Sequence, residues 1–121
     1  EGKTGIYAVY TTTRLNSLLT KLDTKDVKIN DLTNEDVKNI AVKLTELPKA
    51  LTSSYKDVSL NYICEFIYDL SSLYNKFYTN NNISQCENSK DKETFIAISK
   101  LTYNVLSRLL NVLGIDLVER M

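Results

Sequence analysis

The sequence predicts an all-α fold, a helical bundle of about four to five helices with crossed packing that forms a single domain over residues 1–121. Two observations support this fold class. The chain contains only 3 glycines and 1 proline, which leaves few turns for a many-stranded sandwich and few breaks in long helices. Hydrophobic residues make up 43% of the sequence and recur three and four positions apart, as they do on the buried face of a helix.

The first two helices are predicted from their apolar stripes. The first runs from Thr4 to about Leu22, with a stripe of Ile6, Tyr10, Leu15, Leu18 and Leu22. The second is predicted to start at Thr33, whose hydroxyl would cap the free N–H groups of the first turn. Its stripe consists of Val37, Ile40, Ala41, Leu44 and Leu47. Pro48 then predicts either a kink or the start of a new short helix.

Two longer helices are predicted in the second half of the chain. The third extends from about Val58 to Tyr78, with a stripe of Leu60, Ile63, Cys64, Ile67, Leu70, Tyr74 and Phe77. The polar segment 79–92 is predicted to be a mobile surface loop. The fourth helix extends from about Glu93 to Leu113, with Phe95, Ile98, Leu101, Val105, Leu106, Leu109, Val112 and Leu113 on its buried face. Gly114 is expected to end it in a left-handed conformation, and the apolar tail 115–121 to pack back on the bundle.

Composition argues against several classes of function. No apolar run reaches the roughly 18 residues that span a membrane, so we expect no membrane partner. With no histidine and only Cys64 and Cys86, the sequence lacks a zinc-binding pattern, so we expect no metal. The 15 basic and 15 acidic residues balance, whereas nucleic-acid binders usually carry a basic excess. A helical protein–protein interaction module is therefore one interpretation.

The spacing of Tyr7, Tyr10 and Arg14 allows another interpretation. Positions three and four apart share one face of a helix. Unpaired bases stack on aromatic rings and on guanidinium planes, so such a face can bind single-stranded RNA. With 8 tyrosines in the chain, simple packing is the alternative for each, and it is the one we expect for Tyr68 and Tyr74.

Three segments together resemble the C-terminal, DALR-type anticodon-binding domain of class I arginyl-tRNA synthetases. Residues 2–17 read GKTGIYAVYTTTRLNS and are similar to the family's G-x-T-x-x-Y-x-x-Y-x-x-x-R-x-x-S. Residues 67–70 and 74–78, IYDL and YNKFY, are similar to Y-L-Y-D-L-A followed by F-N-x-F-Y. The end of the chain, LGI and VERM, is similar to L-G-I-x-x-P-E-R-M. The three segments occur in the family's order and span the whole chain.

The resemblance implies that the chain binds the anticodon loop of tRNA-Arg, as a monomer, through residues that gather around the splayed loop. Carried over onto matching positions, these residues are Tyr7, Tyr10, Arg14, Tyr78 and Met121. Every arginine codon has G in the middle, so the middle anticodon base is always C. One pocket that accepts cytosine can therefore serve every arginine tRNA.

The resemblance also implies a longer parent protein. The chain begins at Glu1 and has no histidine and no glycine-rich phosphate loop, so we expect a fragment without the catalytic site. ATP and the attachment of arginine would belong to the same enzyme's catalytic domain, in the cytoplasm or in an organelle. The equivalent domain of a cysteinyl or glycyl synthetase is an alternative within the same class.

Two positions depart from the family pattern. Val118 replaces the proline that usually precedes Glu119. The last helix usually carries an arginine near its start, in the Asp-Ala-Leu-Arg sequence that gives the domain class its name. The matching stretch is 94–97, TFIA, which places Phe95 where the arginine is expected and removes any salt bridge of that arginine.

Overall fold

A computed structural model describes residues 2–114, and within them all regular structure is helical. The five helices are α1 (Gly2–Thr20), α2 (Glu35–Leu44), α3 (Leu47–Asp57), α4 (Asn61–Asn80) and α5 (Ser89–Val112). The predicted all-α class is confirmed. None of the helices in residues 2–114 is long and apolar enough to cross a membrane.

Capping residues determine where α2 and α3 begin. The Asn34 side chain accepts the Val37 N–H at 3.0 Å and caps α2. The predicted cap, Thr33, is wrong because its own N–H and hydroxyl both bind the Asp31 carboxylate, at 3.1 and 2.8 Å. Pro48 lies in the first turn of α3, where a missing N–H does no harm, so it starts a new helix.

The boundaries of α4 and α5 differ from the prediction. Val58 is not the start of the third long helix. It ends α3 in a left-handed conformation, with φ +50°, and α4 begins at Asn61. The predicted surface loop 79–92 is too long, because α4 continues to Asn80 and α5 begins at Ser89. Ile83 anchors the shorter connection in the core with 3% of its surface exposed. Gly114 follows α5 at φ +80°, as predicted.

The core is centred on α4, which packs against α1, α2, α3 and α5. Its buried apolar side chains are Ile63, Phe66, Ile67, Leu70, Tyr74 and Phe77. Five members of the predicted apolar stripes are solvent-exposed instead, namely Ile6, Tyr10, Leu60, Leu101 and Val112. The buried face of α5 also includes Ile96, Ala97 and Leu110, which its predicted stripe omitted.

The buried face of α1 is set by small residues. Ala8, Thr11 and Thr12 are buried together with Leu15 and Leu18. The two threonine hydroxyls donate to the carbonyls of Tyr7 and Ala8 in the preceding turn, at 2.9 and 3.1 Å, so their burial leaves no hydroxyl unpaired. This face is rotated from the predicted stripe, and Tyr10 is consequently 52% exposed instead of buried.

Candidate nucleic-acid interface

Three of the five predicted contact residues meet where α1 crosses α4. Arg14, on α1, donates from Nη2 to the Tyr10 hydroxyl one turn earlier. Its Cζ lies 4.9 Å from the centre of the Tyr10 ring and 4.2 Å from the centre of the Tyr78 ring on α4. The guanidinium therefore lies between two tyrosines from different helices. We call Tyr10, Arg14 and Tyr78 the guanidinium cluster.

Asn75 joins this cluster, although the sequence suggested no role for it. Arg14 Nη1 donates to Asn75 Oδ1 at 3.0 Å. The amide nitrogen of Asn75 in turn donates to Thr11 Oγ1 at 2.8 Å, and that hydroxyl bonds the Tyr7 carbonyl. Asn75 stands three residues before Tyr78, hence on the same face of α4. Two signals in the sequence would have found it, this spacing and the asparagine of the F-N-x-F-Y pattern, which Asn75 matches.

Tyr7 takes part in a separate aromatic pair, one turn before Tyr10 on α1. Its ring centre lies 5.2 Å from that of Tyr68 on α4, with the ring planes tilted by 44°. Tyr7 is half-buried, and Tyr68 is 39% exposed, so Tyr68 is only partly the packing residue that was predicted. The pair extends the aromatic surface of the guanidinium cluster along the junction of α1 and α4.

Buried aromatic residues support Tyr78 from below. The Tyr74 ring centre lies 6.3 Å from that of Tyr78 and 5.5 Å from that of Phe77. Tyr74 is fully buried, its hydroxyl is 2.8 Å from that of Ser99, and burial raises the pKa of its phenol well above the usual range. Phe95 packs edge-on against Phe77 at 5.2 Å. Phe95, at the position where the resemblance led us to expect an arginine, is therefore another aromatic core residue.

A cleft of about 220 Å³ adjoins Tyr78 at the end of α4. It is lined by Leu18, Tyr78, Thr79, Asn81, Asn82, Ile83 and Ser84. Its lining carries hydroxyl and amide groups but no charged side chain, and Ile83 is buried at the cleft. A neutral, flat group with hydrogen-bonding edges, such as a nucleobase, would suit these walls better than an ion.

Charge is distributed unevenly, although the chain is neutral overall. α1 contains no Asp or Glu along its whole length. Both ion pairs found in the described part of the chain involve Lys43, which binds Glu46 at 3.0 Å and Asp69 at 3.2 Å. Among those same residues Arg14 forms no ion pair, so its positive charge is not neutralised by a carboxylate there.

Met121, the fifth predicted contact residue, lies outside the described residues. A larger cleft of about 380 Å³ lies elsewhere, between α2, α3 and α4. Charged groups of Lys43, Glu46, Lys49 and Glu65 line much of it, so it is not an apolar groove. No group of three or more Cys, Asp or Glu side chains that could hold a metal ion occurs within residues 2–114.

The sequence is similar to those of known proteins. A family model described as "DALR anticodon binding domain" matches residues 8–121. Arginine–tRNA ligase of Francisella tularensis subsp. novicida is 32% identical over 130 residues, which cover 100% of this chain and 22% of the relative. Arginine–tRNA ligase of Alkaliphilus oremlandii is 34% identical over 125 residues, which cover 100% of this chain and 21% of the relative. The chain thus spans about a fifth of the length of these curated relatives.

Proposed function

The chain belongs to the DALR anticodon-binding domain family, and on that premise we propose that it binds the anticodon loop of tRNA-Arg and reads its middle cytosine. The observation that carries the proposal is the guanidinium cluster, in which Arg14 lies between the rings of Tyr10 and Tyr78. Aromatic and guanidinium faces that lie side by side are the surface on which unstacked bases bind.

The hydrogen-bonding capacity of the cluster matches cytosine. A guanidinium has five N–H donors, and two of those of Arg14 are used by Tyr10 and Asn75. The others can donate as a fork to the N3 and O2 acceptors of cytosine. Uracil carries a hydrogen on N3, so the same fork would meet a donor and leave one N–H unpaired. Preference for C over U follows from that mismatch.

The proposal extends to the longer protein. The curated relatives are arginine–tRNA ligases about five times longer than this chain. We propose that this chain is part of a similarly long protein. A catalytic domain of that protein would attach arginine to tRNA and consume ATP. In this scheme the 121-residue domain positions the anticodon and supplies no reacting group. A monomer in the cytoplasm is sufficient for that role.

The decisive experiment compares two anticodon stem-loops of tRNA-Arg that differ only in C or U at the middle position. Binding is followed by calorimetry at low, stated salt. We expect the C form to bind more tightly by about 1–3 kcal/mol. Equal binding of both forms, or no binding at millimolar RNA, would contradict base reading by this surface.

A matched pair of tyrosine variants links the preference to the cluster. Tyr10→Ala removes an exposed ring and should weaken binding of the C form by about 1–3 kcal/mol, the usual contribution of one stacked base. Tyr55→Ala removes another exposed ring, on α3, and should leave binding unchanged. If the two variants lose affinity equally, the aromatic contact is not specific to this cluster.

A second candidate function, protein binding, is favoured by one surface. Leu51, Tyr55, Val58 and Leu60 are all exposed around the turn between α3 and α4, and Tyr55 and Val58 are 89% and 91% exposed. These residues lie on other elements than the guanidinium cluster. The stem-loop titration distinguishes the two candidates, because a protein-binding module has no reason to separate C from U.

A further inference from the structure

We propose that Asn75 is a positioning residue for Arg14, and that it holds the guanidinium in place without neutralising its charge. The inference rests on the proposed function, since it assigns Asn75 a part in base reading. It adds one residue, Asn75, to the five contact residues that the resemblance implies. Its evidence is a directed series of hydrogen bonds that runs from the backbone of α1 to Arg14.

Thr11 determines which groups in the series donate and which accept. Its hydroxyl has one hydrogen, which is donated to the Tyr7 carbonyl at 2.9 Å. The hydroxyl oxygen is therefore left as an acceptor, and it lies 2.8 Å from the Asn75 amide nitrogen. Thr11 is fully buried, so water does not compete for these bonds.

This donor arrangement fixes the orientation of the Asn75 amide. With the amide nitrogen turned to Thr11, the amide oxygen faces Arg14 and accepts from Nη1 at 3.0 Å. The reverse orientation would place two N–H donors against the guanidinium. The series of bonds thus leaves one acceptor, Asn75 Oδ1, directed at Arg14.

Arg14 is then restrained on three sides. Asn75 binds one terminal nitrogen, the Tyr10 hydroxyl binds the other, and the Tyr78 ring lies 4.2 Å from Cζ. Two bonds to different terminal nitrogens fix the rotation of the planar group, and the ring fixes its tilt. The donors that remain free point in a defined direction, as a base edge requires.

The neutral side chain matters as much as the position. Aspartate has almost the same shape as asparagine, but it would place a carboxylate 3.0 Å from Nη1 and make an ion pair with Arg14. It would also turn a carboxylate oxygen towards the Thr11 oxygen that now accepts from the amide. Asparagine supplies the acceptor and leaves the full positive charge for RNA.

The first test compares Asn75→Ala with Asn104→Ala, a matched change at an exposed asparagine on α5. Both variants are checked for folding by circular dichroism and then titrated with the C and U stem-loops. We expect Asn75→Ala to weaken binding of the C form about tenfold, because it removes a hydrogen bond to a charged group, and to reduce the C/U ratio. Asn104→Ala should change neither value.

A double-mutant comparison separates positioning from a structural effect. If Asn75 acts through Arg14, Asn75→Ala should change binding by less than twofold when it is added to Arg14→Leu. A general structural defect would weaken binding to the same extent in both backgrounds, and that result would overturn the inference. An unchanged C/U ratio in the single variant would overturn it too.

Asn75→Asp tests the requirement for a neutral acceptor. We expect this variant to fold and to bind the C form about tenfold more weakly at low salt. The slope of log K against log salt should become smaller in magnitude by about 0.7, the contribution of one cation that binds single-stranded nucleic acid. Wild-type affinity and slope in Asn75→Asp would show that the neutral side chain is irrelevant.

Thr11 provides an independent pair of variants should Asn75→Ala fail to fold. Thr11→Ser keeps the hydroxyl and should keep the C/U ratio, whereas Thr11→Val has nearly the same shape, lacks the hydroxyl and should reduce the ratio. Equal ratios in the two variants would contradict the proposed series of bonds. A wild-type chain without any C/U preference would instead overturn the proposed function, and this inference with it.

Discussion

Tyr74 shows how one side chain can support a surface site while remaining buried. It is fully buried on α4, its hydroxyl lies 2.8 Å from that of Ser99, and its ring packs against Phe77 and Tyr78. Burial makes the phenolate unfavourable and raises the pKa of Tyr74 above its ordinary value of 10.0. The packing that supports Tyr78 therefore depends on a neutral phenol.

This burial predicts a loss of stability at alkaline pH. The pKa is higher in the folded than in the unfolded chain, so the contribution is fully present below about pH 10 and is lost as the pH rises towards the folded value. Above pH 10 the free energy of unfolding should fall by up to about 1.4 kcal/mol per pH unit from this group. Tyr74→Phe should remove that part of the decline, as measured by urea unfolding between pH 8 and pH 11.

Tyr55→Phe is the control for this prediction, because Tyr55 is 89% exposed and its side chain is not part of the core. It should follow the wild-type decline. At neutral pH, Tyr74→Phe should cost about 0.5–1.5 kcal/mol through its lost hydrogen bond to Ser99. If the curves of wild type and Tyr74→Phe stay parallel up to pH 11, burial of this phenol does not limit stability.

The candidate residues were predictable from sequence only in part. The spacing of Tyr10 and Arg14 places them on one face of a helix, and the structure joins them by a hydrogen bond. Nothing in the spacing alone brings Tyr78 to Arg14, 64 positions away, and there the resemblance to a family supplied the information. Asn75 was missed because it is a single polar residue beside the apolar stripe of α4, and the hydrophobic pattern gives no information about such a residue.

At the scale of the element, the helical character of the segments was predicted better than the residues at which the helices begin and end. Of the two outcomes predicted for Pro48, a kink or the start of a new short helix, the structure shows the second, because a missing N–H costs nothing in a first turn. Thr33 was the predicted cap of α2, but Asp31 engages Thr33 and the neighbouring Asn34 becomes the cap. Competition of this kind between neighbouring side chains depends on the three-dimensional structure, and the sequence pattern does not show its outcome.

The turn between α3 and α4 includes an unusual residue. Val58 is 91% exposed and has φ +50° and ψ +50°, a conformation that disfavours residues with a branched side chain. Its N–H and that of Ser59 bond the last carbonyls of α3, and the Ser59–Ser54 bond measures 3.0 Å. The chain reversal itself therefore needs the left-handed backbone, while the valine side chain makes it costly.

Val58→Gly should accordingly stabilise the chain. Glycine adopts this conformation freely, and the relief of about 1–2 kcal/mol exceeds the greater entropy of glycine in the unfolded chain, so we expect a net gain of about 0.5–1 kcal/mol. The control is Val42→Gly, at a half-exposed valine inside α2, which should destabilise by about 0.5 kcal/mol or more. Chemical denaturation of both variants gives the signs, and a loss of stability in Val58→Gly would contradict the strain at this turn.

At the scale of the whole molecule, the balance of 15 basic and 15 acidic residues is a poor guide to the interface. Acids are absent from α1, and the one arginine of that helix is bound by an amide and two tyrosines. Net charge is a sum over the whole molecule, whereas the candidate RNA interface is only one part of its surface. The composition argues against a broad basic patch but allows a small one.

A neutral molecule whose candidate interface contains one guanidinium, that of Arg14, should bind RNA with a weak salt dependence. We expect a slope of log K against log salt of about −0.7 to −1.4, which corresponds to one or two neutralised phosphates. Arg14→Leu should reduce the magnitude of the slope by about 0.7, the contribution of one cation. Arg108→Leu, at an exposed arginine on α5, should leave it unchanged. A slope steeper than about −4 would mean that further basic residues supply most of the affinity.

The guanidinium cluster joins the first helix of the chain to the fourth, and its two halves are held together by Arg14 and Asn75, 61 positions apart. Neither half can present the surface alone. Under the proposed function, competence to bind RNA therefore appears only once α1 and α4 have packed together, across the 60 residues that separate Arg14 from Asn75. Under the proposed function, a nascent or partly unfolded chain that still carried every contact residue would not bind tRNA, because the bond between Arg14 and Asn75 forms only in the folded bundle.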